Sequence, residues 1–161
     1  TDSNNTDSTI RLRMQDRYDW DVILHEYGHY LARKGFLTTL PGAKHSFFTN
    51  LSESLGKSKG TSLAWSEGLA TWLGVVGQQQ LNVSALGIPK AGDTAYDDGG
   101  FRADLASSAG GASVGEDDEA AIARILWLFG HNPALGLSTD TIVSTLVASK
   151  PTRLSAALPL S

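Results

Sequence analysis

The 161-residue chain contains no cysteine. That excludes disulfides and thiolate ligands, so any metal centre has to be built from His, Asp or Glu. No run approaches the ~18 consecutive apolar residues that a membrane-crossing helix requires. Basic residues are few: thirteen Lys and Arg stand against seventeen Asp and Glu, for a formal net charge of -4. Arg11, Arg13, Arg33, Lys34, Lys57 and Lys59 are scattered and form no basic stripe, so no nucleic-acid partner is expected. Only four histidines are present, which makes their placement informative.

Apolar residues make up 41% of the chain, enough for one globular domain spanning residues 1–161 with its own core. The polar stretch from Thr1 to Thr9 reads as a disordered end or a linker, consistent with a piece of a longer precursor. Alternation over Ile10 to Met14 predicts a short strand. From about Asp19 to Lys34, Trp20, Ile23, Leu24, Tyr27 and Leu31 recur at helical spacing, with Arg33, Lys34 and Gly35 as a C-terminal signal. Pro41-Gly42 reads as a turn, Phe47-Phe48 as a core-docking pair, and Gly56 to Gly60 as a mobile loop.

A second helix is expected from near Ser62 to about Gln79, with Leu63, Trp65, Leu69, Trp72, Leu73 and Val76 on its apolar surface. Leu81 to Ala112 is rich in Gly, Asp and Ser and reads as irregular, with room for a short strand. Ser113 and Glu116 match a capping box ahead of a third helix ended by Gly130. Ser138 suits the cap of a fourth helix reaching Ser149, and Thr152 the cap of a short last one. The fold class is therefore α+β and mainly helical. The tryptophans Trp20, Trp65, Trp72 and Trp127 sit at helical core positions, and Asp93, Asp97 and Asp98 read as a solvated turn.

His25-Glu26-Tyr27-Gly28-His29 places H-E-x-x-H inside the first helix. Residues four apart lie on one face, one turn apart, so both imidazoles can reach a single metal ion. Glu26 then stands beside the ion, where a general base must be to take a proton from water. Gly28 costs about 1 kcal/mol in a helix interior relative to Ala, which points to close packing by another helix. Two histidines leave zinc short of a protein ligand. Glu67, in Trp65-Ser66-Glu67-Gly68-Leu69-Ala70, is the best third candidate, because a carboxylate within an apolar helix is costly unless paired or on a metal. Gly68 and Ala70 beside it are small enough for helices to approach. Glu53, Glu116 and Glu119 are the weaker candidates.

An HEYGH helix followed by W-S-E-G-L-A-T-W-L resembles the gluzincin clan of zinc metallopeptidases. The resemblance covers Val22 to Leu31 and Leu63 to Leu73 sharply and the rest loosely. It implies a zincin-like catalytic domain with a β-sheet before the motif helix and helices after it. It implies Zn2+ held by His25, His29 and Glu67, with Glu26 as the base in hydrolysis of a peptide or protein substrate. Glu119 to Leu128 and the region from Leu137 to Leu154 resemble the helical tail of exported bacterial gluzincin-like proteins, which implies a secreted or cell-envelope location. One departure is clear: only 24 residues precede His25, so the sheet edge that binds substrate in the clan is expected to be missing, reduced or supplied from elsewhere.

Glu119 is a candidate for a hydrogen-bonding partner of a ligand imidazole, against the plainer reading of a solvated acid in a first helical turn. Tyr96, His45 and His131 are candidates for stabilising an oxyanion, against ordinary loop or helix-end roles. Two alternatives accompany the enzymatic expectation: a zinc-binding but inert interaction module, and a metal-free helical interaction domain.

Overall fold

A computed structural model describes residues 4–5, 9–35, 45, 49–88, 91–107 and 115–157. Strands β1 (Asn4–Asn5) and β2 (Ile10–Arg11) pair antiparallel, and helix α1 (Trp20–Gly35) follows. Next come α2 (Leu51–Leu55), α3 (Lys57–Gln80), the hairpin β3 (Ala95–Asp98) and β4 (Phe101–Asp104), α4 (Glu119–His131), α5 (Thr139–Ser149) and α6 (Leu154–Ala157). The described residues thus form a mainly helical α+β fold with two short antiparallel strand pairs.

Helix α3 is the centre. Leu63, Ala64, Trp65, Leu69, Ala70 and Trp72 have no measurable exposure, and Val75 and Val76 are also buried. A helix buried on nearly every side needs neighbours all round, and α1, α2 and α4 supply them. Leu126 and Trp127 of α4, Ile142 and Leu146 of α5, and Leu154 of α6 complete the cluster. Full burial of side chains of this size contributes about 1.5–3 kcal/mol each. As the sequence suggests, Trp65, Trp72 and Trp127 are packing residues; Trp20 is half-buried.

Several elements differ from the sequence expectation. The expected strand from Ile10 to Met14 stops at Arg11, and Met14–Asp16 forms a 3-10 turn closed by Asp16 N–H donating to the Arg13 carbonyl and by the Arg13–Asp16 ion pair. Asn4–Asn5, within the segment read as a linker, pairs with that strand. The expected loop over Gly56 to Gly60 is helical from Lys57 onward. Gly56, at φ +80, closes α2, and Gly60 serves close approach, since a Cβ there would lie 2.5 Å from the Ser52 nitrogen. Two glycines that read as a loop are thus the hinge and contact of a helix pair.

Helix α4 begins at Glu119, later than the expected cap at Ser113. Asp118 caps α4 instead, accepting from Ala121 N–H at 2.7 Å, while Glu116 accepts from Ser155 N–H. Helix α4 also continues through Gly130 to His131. The Leu81–Ala112 stretch holds a 3-10 turn and a full hairpin rather than an irregular run. Ser138 caps α5 as expected, accepting from Thr141 N–H. Pro41-Gly42, Phe47-Phe48 and Ser113 lie outside the described residues.

The face that α1 buries is its motif face more than its apolar stripe. Tyr27 and Leu31 of the apolar stripe are 44% and 36% exposed. The residues turned inward are Asp21, Val22, His25, Glu26, Gly28 and Ala32. Spacings of four, three and four from Asp21 through His25 and Gly28 to Ala32 draw one continuous stripe, and that stripe lies on α3.

Candidate metal centre

The crossing of α1 over α3 is set by backbone contact. A Cβ at Gly28 would lie 2.8 Å from the Ala70 carbonyl oxygen, so only glycine permits this approach. Three residues before Ala70, Glu67 therefore faces the imidazoles of α1. The Oε2 atom of Glu67 lies 3.3 Å from His25 Nε2 and 3.0 Å from His29 Nε2. The two rings meet edge to face with centroids 4.7 Å apart. Those three residues form one of two groups, among the described residues, whose ligand atoms lie close enough to hold a metal ion.

Zinc fits this donor set. Bonds of about 2.0–2.1 Å in a tetrahedron put neighbouring ligand atoms about 3.3 Å apart, and the two nitrogen-to-oxygen separations here are 3.3 and 3.0 Å. The far sides of the rings are also engaged. His25 Nδ1 is 3.1 Å from the hydroxyl of Thr71, which is fully buried, and His29 Nδ1 is 3.5 Å from Ser66 Oγ. Without an ion, each Nε2 faces the Glu67 carboxylate as a donor; with an ion bound, an N–H donated from Nδ1 to the hydroxyl would leave Nε2 as the lone-pair nitrogen that a ligand imidazole needs. Thr71 and Ser66 flank Glu67 on α3, so one helix supplies a carboxylate and both orienting hydroxyls.

Charge is concentrated here. Burial would raise the Glu67 carboxyl, but the facing His29 and hydrogen bonds from His25 and His29 outweigh it and hold the group well below 4.5. Burial opposes charge on His29, yet the attraction of Glu67 raises it above 6.5. Glu26, the expected base, is 7% exposed and follows His25 in α1.

The sequence undervalued three neighbours. Tyr96, on β3, is buried with its ring centroid 5.3 Å from that of His25. Burial, reinforced by Asp98 and Glu119, holds its hydroxyl well above 10, so it remains protonated and able to donate. Glu119 is not a solvated first-turn acid: it is 1% exposed, and His45 Nε2 lies 3.2 Å from its Oε2. Burial pushes its carboxyl up to about 7 against the pull of His45. His45 also approaches Glu67 Oε2, at 4.0 Å. No local pattern marks these contacts; they arise because α4 packs on α3 and His45 lies beside both Glu119 and Glu67.

The other candidates lie apart. His131 ends α4, where it stacks on Trp127 at 3.6 Å and its Nδ1 is 2.9 Å from the Trp127 carbonyl; it belongs to neither metal-capable group. Asp93 and Asp97 pair with Arg102 and so are not simply a solvated turn. Asp21 ties the hairpin to the helices: its carboxylate accepts from Gln78 Nε2 of α3 and from Asp97 N–H of β3, while Gln78 Oε1 accepts from Gly92 N–H. This network fixes β3 against α1 and so places Tyr96. A cavity of 480 Å³ opens beside it, lined by Gln15, Tyr18, Asp19, Asp21 and Asp97 among others. No member of the metal-capable group lines it, so the cavity does not define the chemistry.

Compared with known proteins, the chain matches no family model, no curated protein and no solved structure. What stands is the geometry: a mainly helical α+β fold carrying a His25, His29 and Glu67 group that could hold a metal ion.

Proposed function

We propose that the chain is a zinc-dependent peptidase in which His25, His29 and Glu67 hold the ion and Glu26 is the general base. The observation that carries this reading is the convergence of both Nε2 atoms on one carboxylate oxygen, at 3.3 and 3.0 Å, beside a further buried glutamate. A zinc ion bound there would polarise a scissile carbonyl and acidify the attacking water. Glu26 accepts the proton of that water and returns it to the leaving amine. Tyr96, kept protonated by burial, donates to the oxygen that gains charge. An extended peptide finds its edge on the β3–β4 hairpin, which lies against α1, in place of the larger sheet of the gluzincin clan.

The test is hydrolysis of mixed peptides by the zinc-loaded chain and by Glu26→Gln. Cleavage by the first alone supports the proposal; equal cleavage by both removes Glu26 from the role of base. One observation favours a second reading, an inert zinc-binding interaction module: each described sheet has only two strands, so little edge is offered to substrate. Stoichiometric zinc with no cleavage of any peptide by the wild type would select it.

A further inference from the structure

Helix α4 meets α3 where Gly68 leaves room: a Cβ there would lie 2.5 Å from the Glu119 carbonyl oxygen. The contact fixes the first residue of α4 beside the neighbour of Glu67, and it drives the Glu119 side chain to 1% exposure. Its Oε2 is 3.2 Å from His45 Nε2, but its Oε1 is fully buried with no hydrogen-bond partner among the described residues. A buried carboxylate oxygen without a donor is costly unless a cation serves it. His45 Nε2 also lies 4.0 Å from Glu67 Oε2, and one nitrogen cannot give its single proton to two carboxylates.

From this arrangement we infer a second divalent-cation site, made by His45, Glu119 and Glu67, that shares Glu67 with the His25 and His29 site. The inference rests on the metal-site reading above and extends it. The ligand atoms of the three residues lie within 4.8 Å of one another. One imidazole nitrogen with carboxylate oxygens is a donor set that suits zinc and its first-row neighbours. Glu67 Oε2 is approached by all three imidazoles, so the carboxylate stands between the two sites and can bridge two ions. The second ion gives Glu119 Oε1 the positive partner that it otherwise lacks.

The experiment is zinc stoichiometry on the full chain, read by equilibrium dialysis and elemental analysis, with circular dichroism of each variant. The wild type is expected to hold two equivalents, and Glu119→Gln and His45→Ala one each. One equivalent in the wild type overturns the inference while leaving the His25, His29 and Glu67 site in place. None overturns both. Two equivalents kept by folded variants place the second ion elsewhere and also overturn it. Should Glu119→Gln lose its helical signal, His45→Ala carries the assignment, since its side chain is 20% exposed.

Discussion

His29 Nε2 lies 3.0 Å from Glu67 Oε2, although 38 positions separate the two residues in the chain. Neither helix alone makes that contact; it requires α1 and α3 to cross almost backbone to backbone. The close crossing and the geometry of the His25, His29 and Glu67 group are therefore one property of this molecule.

Two glycine substitutions separate packing from helix propensity. Gly28→Ala pushes a methyl to 2.8 Å from the Ala70 carbonyl oxygen, whereas Gly77→Ala in α3 meets nothing within 4 Å. The first is expected to lose about 1–3 kcal/mol through overpacking, beyond the roughly 1 kcal/mol that alanine gains in a helix. The second is expected to gain up to about 1 kcal/mol. Thermal denaturation checks both. A Gly28→Ala variant as stable as the wild type would mean that the helices do not approach this closely.

Removing a hydroxyl behind a ligand tests the orientation of the rings. Thr71→Val keeps the shape of the side chain but takes away the partner of His25 Nδ1. Zinc affinity is expected to fall about 10–100-fold, the usual loss when such a partner is removed. Competition with a chromogenic chelator measures it, and an unchanged affinity would show that Thr71 does not orient the ring.

The Asp21 network predicts a definite pH dependence. Burial raises the Asp21 carboxyl from 3.8 to about 7, so the folded state keeps this proton at pH values where the unfolded chain has released it. Between about pH 4 and 7 the folded state binds more protons at this site, and the contribution of Asp21 to stability falls as pH rises, then levels off. Asp21→Asn does not titrate. The melting temperature of the wild type relative to this variant is thus expected to be highest near pH 4 and lower by pH 8. A difference constant across that range would contradict the burial of an ionisable Asp21.

Tyr96→Phe addresses the reaction itself. If the Tyr96 hydroxyl donates to the developing oxyanion, its loss is expected to lower kcat about 100-fold or more with zinc content unchanged. Steady-state hydrolysis with parallel metal analysis is the check; an unaltered kcat removes Tyr96 from the mechanism.

Much of the candidate site was legible because its signals are local. The spacing of His25 and His29 is a property of one helix, and Glu67 stood out as a charge inside an apolar run. Gly28 and Gly68 hinted at close crossings, which the fold contains. What escaped depends on tertiary packing. Glu119 looks like an acid placed to suit a helix N-terminus, and only the approach of α4 to Gly68 buries it. The capping pattern at Ser113 and Glu116 competed with Asp118, nearer the apolar run, and the nearer acid caps the helix. In helix α1 the apolar recurrence marks the helix but not its most buried side: the motif face is sheltered, while Tyr27 and Leu31 face outward. Hydrophobic periodicity identifies the side facing the core only when the core-facing side chains are apolar.

The most direct measurement is anomalous diffraction at the zinc edge from crystals of the zinc-loaded chain. A peak within bonding distance of His25 Nε2, His29 Nε2 and a Glu67 carboxylate oxygen is expected. A map with no peak between α1 and α3, or with Glu67 turned away from both imidazoles, would contradict the proposed metal centre.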